Sequence, residues 1–188
     1  MNLPHIQGYA VVFNTLSSEG KGTDGQGRLY FPPGAFRVVL SYSKPIEARI
    51  NHVRNRVVAT TEDGGLHLHE DARGLWYEIR PHDTPQYRNL VAEIKAGSAT
   101  GVSLGSRHLR TPWTQHFGAR ASKGVVTSLW EISILLSPYE PAMPDTTVQL
   151  QYKPVPEPVE RQLTAAEVKA IDEECQAEIK RRVALMFG

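Results

Sequence analysis

The sequence predicts a mainly β fold with a few peripheral helices, and three observations carry that prediction. Short stretches in which apolar residues alternate recur along residues 7–152, as where Tyr9, Val11 and Phe13 are set against Gly8, Ala10 and Val12. Glycine, serine, asparagine and aspartate cluster between these stretches, where turns belong. A helical period shows clearly over residues 84–96 and again near the C-terminus.

Taken in order, residues 7–13 form the first strand and the Ser/Gly/Thr/Asp-rich segment 14–28 a loop. Residues 29–31 make a short strand, and Pro33-Gly34 opens a short helix reaching Leu40. In residues 46–52, Ile46, Ala48, Ile50 and His52 share one face while Glu47, Arg49 and Asn51 share the other, so His52 ends an apolar row. Residues 56–62 give another strand. Residues 66–70 and 75–80, joined by Asp71-Ala72-Arg73-Gly74, read as a β-hairpin. Thr84 caps a helix with Pro85 in its first turn, Tyr87, Leu90, Val91 and Ile94 on one face, and Gly97 at its end. A strand containing Ser103 follows. Residues 110–124 read as a polar loop, and 125–136 as a long strand. Strict alternation there puts Val126, Ser128, Trp130, Ile132, Ile134 and Leu136 on one face and Glu131 among Leu129, Ser133 and Leu135 on the other. Residues 148–152 make a last short strand.

Three parts follow from this pass: a domain over 1–152, a proline-rich extended linker over 153–162, and an amphipathic helix over 163–188. The helix has a capping box at Thr164–Glu167 and a stripe of Val168, Ile171, Cys175, Ile179, Val183 and Met186.

Composition excludes several function classes. The 188 residues carry 21 basic and 20 acidic side chains, so no general attraction to nucleic acid or to anionic membranes is implied. The single cysteine, Cys175, rules out an internal disulfide or a Cys-rich zinc site and fits a reducing compartment. Residues 1–13 lack the basic and apolar regions of a signal peptide, and no apolar run approaches the ~18 residues of a membrane span, so a soluble intracellular protein is expected. No phosphate-loop motif and no Gly-x-Ser-x-Gly elbow is present, which argues against a nucleotide hydrolase and an α/β-hydrolase.

The most informative stretch is Thr100-Gly101-Val102-Ser103-Leu104-Gly105-Ser106-Arg107. Alternation puts Ser103 between Gly101 and Gly105 on one face, leaving its hydroxyl open to close approach. A serine becomes a nucleophile at neutral pH when a base takes its proton and a third group holds that base. His52 and Glu131 supply both residue types at places where strand patterning alone would not put them. A rival constellation is His67, His69 and Glu70 with His82, where alternate histidines could share a metal; a solvated hairpin face explains the same letters. No cofactor is called for by the serine reading.

On these residues the chain resembles the tailed-phage prohead proteases, a family of capsid-maturation serine peptidases similar in fold to the herpesvirus assembly proteases. The motifs run in order from Gly8-Tyr9-Ala10-Val11-Val12-Phe13-Asn14 through Phe31-Pro32-Pro33-Gly34-Ala35-Phe36, Asn51-His52, Arg73-Gly74-Leu75 and the Ser103 strand. They continue to Leu129-Trp130-Glu131-Ile132-Ser133 and Pro144-Asp145-Thr146. Val53 departs from an acidic residue that often follows the histidine, and Ser106 from an aromatic. The resemblance implies a mostly antiparallel β-barrel, Ser103 as nucleophile, His52 as base and Glu131 at the family's acidic position. Related viral proteases use a second histidine there, and His116 is available in this chain. It further implies cleavage of the scaffolding segment of the major capsid protein, and of the protease itself, inside the immature capsid in the host cytoplasm. Self-association is a further expected partner mode, with neither nucleic acid nor membrane. The competing reading is a capsid component with the same fold and no turnover. The C-terminal helix is expected either to dock on scaffold or another subunit, or to be removed by self-cleavage.

Overall fold

The computed structural model describes residues 3–20, 27–42 and 44–152; the linker and C-terminal helix expected over 153–188 lie outside the described residues. The elements are β1 (His5–Val12), β2 (Arg28–Tyr30), α1 (Arg37–Leu40), β3 (Glu47–Ile50), β4 (Val57–Thr60), β5 (Leu66–Glu70) and β6 (Gly74–Ile79), followed by α2 (Pro85–Lys95), β7 (Ala99–Arg110), β8 (Thr114–His116), β9 (Ala119–Leu136) and β10 (Gln149–Gln151). The mainly β class with peripheral helices is therefore as the sequence predicts.

One sheet has the order β10-β1-β6-β5 and is antiparallel throughout. The other is assembled on β9, which pairs antiparallel with β7 and β8 and parallel with β2 and β3, while β4 joins β3. The two sheets do not close on one another, so the expected barrel takes the form of open sheets over a shared core. The parallel pairs depart from the antiparallel expectation for a simple reason. β2 and β3 are separated from β9 by several intervening elements, so no tight turn forces an antiparallel return.

The core unites Ile6, Val11, Leu75, Tyr77 and Ile79 of the first sheet with Ala48, Ile50, Val102, Ile132 and Ile134 of the second. α2 seals it with buried Tyr87, Leu90 and Val91. Its start is the one the sequence calls for: Thr84 accepts a hydrogen bond from the Tyr87 amide at 3.2 Å, Pro85 fills the first turn, and Gly97 ends the helix in a left-handed conformation. The β5–β6 hairpin also forms where expected, its turn closed by the Asp71 carboxylate accepting from the Arg73 and Gly74 amides at 2.7 and 3.0 Å.

Two expectations fail. Residues 110–124 are largely strand rather than loop, because β9 begins at Ala119 and pairs back on β8. Nor does β9 alternate strictly: its register against β7 shifts between Gly105 and Ser106 and again between Arg107 and His108. Each shift is a bulge that changes which residues face inward. Val126 and Leu129 consequently join Ile132 and Ile134 in the core, and Trp130, expected on the Ile132 face, is 41% exposed.

Candidate active site

β7 is sequence-poor on its outer face, and the two strands beside it supply what it lacks. Across the β7–β9 ladder Ser103 faces Ser133 and Gly105 faces Glu131. Across the parallel β9–β3 ladder Ser133 faces Arg49 and Glu131 faces Glu47. Val102, Ile132, Ile134, Ala48 and Ile50 on the alternate positions are buried, so this polar set occupies one face, opposite the core.

His52 reaches that face by a route alternation does not predict. β3 ends at Ile50, and Asn51 and His52 both adopt left-handed backbone, with φ of 53° and 59°. Two consecutive residues of this kind break the period of two, so His52 leaves the apolar row it was expected to end. Left-handed backbone at a non-glycine residue costs of order 1–3 kcal/mol and persists only where the surroundings hold it. Here they do. The Asn51 amide donates to Ile134 O at 3.0 Å, Asn51 Oδ1 accepts from the Leu136 amide at 2.7 Å, and the His52 amide donates to Ser133 Oγ at 3.2 Å.

The imidazole meets the carboxylate directly. His52 Nδ1 lies 2.5 Å from Glu131 Oε1, with the histidine side chain 41% exposed and the glutamate 3%. A proton on Nδ1 donated to Glu131 leaves Nε2 as the acceptor, which is the arrangement a general base needs. Ser103, half-buried, stands beside Ser133, whose hydroxyl carries the His52 amide. No hydrogen bond joins Ser103 Oγ to His52 among the described residues; in ligand-free sites such contacts often tighten only when substrate is bound. The three predicted residues thus share one face, two of them in contact.

The flanking glycines serve a purpose other than the expected one. A Cβ at Gly101 would lie 2.4 Å from Thr146 Oγ1 and 2.8 Å from Pro141, and one at Gly105 would lie 2.4 Å from both Glu131 Cγ and Trp130 Nε1. The empty positions are filled by neighbouring side chains, and at Gly105 the occupant is the carboxylate that holds His52.

The other candidates are engaged elsewhere. His116 stacks on Tyr30 with ring centroids 4.1 Å apart and belongs to β8, which pairs with residues 119–121 of β9, far along the strand from Glu131. In the hairpin constellation His67 Nε2 contacts Gly64 O at 3.0 Å, His69 packs on Trp76 with centroids 4.6 Å apart, and His82 Nδ1 contacts Arg80 O at 3.1 Å. Glu70 instead accepts from the Gly34 and Phe36 amides at 2.5 and 2.9 Å, tying the Pro32-Pro33-Gly34 turn to the hairpin. Among the described residues no group of three or more metal-binding side chains comes together. A hollow of about 80 Å³ is lined by Ser103 and Ser106 of the serine strand together with Leu29, Phe31, Leu104 and Met143 among others.

Two residues at the site escaped the sequence reading: Ser133, which supports the His52 amide, and Arg49, which pairs with Glu131. The available signal was the charged row Glu47 and Arg49 alternating with Ile46, Ala48 and Ile50.

An alcohol, an imidazole and a carboxylate on one sheet face are the residue types a serine hydrolase uses. The chain matches the model of the caudovirus prohead serine proteases over residues 2–159, and it belongs to that family. It is thus a serine protease of phage capsid maturation. A structure of varicella-zoster virus protease is similar at a TM-score of 0.46 and 16% identity, covering 92% of this chain and 76% of that one. No curated protein matches the chain. Among the described residues no helix is long and apolar enough to cross a membrane.

Proposed function

We propose that this protease is a serine endopeptidase of the Ser-His-Glu type, with Ser103 as nucleophile, His52 as general base and Glu131 as its orienting carboxylate. The observation that carries the reading is the 2.5 Å contact between His52 Nδ1 and Glu131 Oε1 on the face that also bears Ser103. His52 Nε2 takes the Ser103 proton as Oγ attacks the scissile carbonyl. The imidazolium formed is stabilised by Glu131 and then delivers its proton to the leaving amine. Water, deprotonated by the same imidazole, hydrolyses the acyl-enzyme and regenerates the serine.

The substrates we infer are the scaffolding segment of the major capsid protein and the protease chain itself, cut inside the prohead. Both follow from the family rather than from any groove in the fold. Self-association and the role of the C-terminal segment, as docking element or as a piece removed by self-cleavage, belong to the same proposal. Mass spectrometry of the mature protein reads the latter directly.

The test is co-expression of the chain with its capsid protein, read on a gel. Wild type is expected to shorten the capsid protein, and Ser103→Ala and His52→Ala to leave it full-length with melting temperatures near wild type. Glu131→Gln is expected to retain residual turnover, reduced by up to about 10⁴-fold as when a triad carboxylate is made an amide. Cleavage by Ser103→Ala at the wild-type rate would remove the mechanism. A capsid protein left intact by the wild-type chain would favour the capsid component without turnover.

A further inference from the structure

Glu131 has two carboxylate oxygens, and His52 uses one. The other, Oε2, lies 2.5 Å from a terminal nitrogen of Arg49, whose Nε lies 2.5 Å from Glu47 Oε2. The contact to Glu131 is an ion pair rather than an aligned hydrogen bond. Arg49 is 16% exposed and Glu131 3%, whereas Glu47 is 34% exposed. The register makes this pairing consequential. Glu47 and Glu131 are partners in the parallel β3–β9 ladder, so two carboxylates stand at the same level on adjacent strands and the same face. Like charges so placed repel. Arg49, two residues along β3 on that face, lies between them and binds both.

We propose that Arg49 is a positioning residue of the active site, holding the second oxygen of Glu131 so that the first stays directed at His52 Nδ1. This rests on the serine-protease reading of the site. The charged groups facing the His52–Glu131 pair are Arg49 and Glu47 from β3; β7 brings only the neutral Ser103 and Gly105. Removing the guanidinium therefore leaves Glu131 facing Glu47 alone on its outer side. The carboxylate then turns, and the imidazole loses the partner that fixes its tautomer. A guanidinium suits the place because its fork can engage two carboxylates at once; an ammonium is a single point charge.

Arg49→Gln and Arg49→Lys test this. In Arg49→Gln, kcat for capsid cleavage is expected to fall by about 10²-fold, the scale of an ångström-sized misplacement, with KM within twofold of wild type. Arg49→Lys is expected to recover part of that loss. A second readout does not depend on turnover: in full-length Ser103→Ala protein carrying isotope-labelled histidine, the imidazole nitrogen shifts show which ring nitrogen of His52 holds the proton. With Arg49 present the Nδ1–H form is expected, and with Arg49→Gln a mixture. Wild-type kcat in Arg49→Gln overturns the proposal. So does a lowered kcat with the Nδ1–H form intact, or loss of folding in both variants, since each makes Arg49 merely structural. Cleavage by Ser103→Ala would instead sink the serine reading and leave the nitrogen measurement standing.

Discussion

Gly105 stands directly opposite Glu131 across the β7–β9 ladder, and the carboxylate occupies the space a side chain at 105 would need. The glycine is thus part of how the site is built. Gly105→Ala puts a Cβ 2.4 Å from Glu131 Cγ and 2.8 Å from Oε1, so the carboxylate or the strand must shift. We expect kcat to fall by about 10²-fold, the cost of a comparable misplacement at a reacting centre. Steady-state cleavage of capsid protein measures it, and an unchanged kcat would show that Glu131 does not need its present position.

Ser133 is fully buried, and its hydroxyl accepts from the amide of a histidine in left-handed backbone. Ser133→Ala leaves that amide without its partner, a loss of about 1–3 kcal/mol when a group is buried and smaller here because the loop is partly solvated. The expected signature is a modest fall in urea midpoint together with a larger fall in kcat. Equal activity at reduced stability would detach Ser133 from catalysis.

Glu70 acts at a distance from the chemistry. Its carboxylate, 7% exposed, accepts from the Gly34 and Phe36 amides, and Phe36 is wholly buried. Glu70→Ala orphans both donors and should lower unfolding free energy by about 3–6 kcal/mol, given that hydrogen bonds to charged groups contribute ~1.5–3 kcal/mol each. Chemical denaturation reads this. A loss below about 0.5 kcal/mol, typical of surface substitutions, would contradict the capping role.

The Tyr9–Asp71 pair makes stability depend on pH at both ends. Tyr9 Oη donates to Asp71 Oδ2 at 2.7 Å. Burial and then the Asp71 contact push the phenol up to about 12. Burial alone would raise Asp71, but the hydrogen bonds from Tyr9, Arg73 and Gly74 outweigh it and hold the carboxyl below its usual value. For Asp71 the folded form is the stronger acid, so its stabilisation is present above the unfolded pKa near ~3.9 and lost as pH falls through the depressed value. For Tyr9 the sign is opposite: its stabilisation is present below ~10 and lost as pH rises through about 12. Asp71→Asn should flatten the acid side of a stability-against-pH curve and Tyr9→Phe the alkaline side. Parallel curves for wild type and both variants would rule the pair out as a source of pH dependence.

Much of this protein could be read from the order of its residues. Local rules placed the capped helix at Thr84–Gly97, the hairpin around Asp71–Gly74 and the glycine-flanked Ser103, because capping, turn closure and strand alternation each act over a few residues. His52 and Glu131 were legible as residue types out of keeping with their surroundings, although nothing in a linear pattern brings residues 52, 103 and 131 together.

Only the tertiary structure decided the rest. The side of the sheet on which His52 lies depends on two left-handed residues held by Ile134, Leu136 and Ser133, all more than eighty positions away in sequence. The inward-facing residues of β9 depend on bulges set by its pairing with β7, and Arg49 meets Glu131 because two strands distant in the chain run parallel in one register. Alternation is a property of a single strand; register, bulges and shared faces belong to pairs of strands. The sequence by itself therefore determined which residues were available for the chemistry, and strand pairing determined which of them meet.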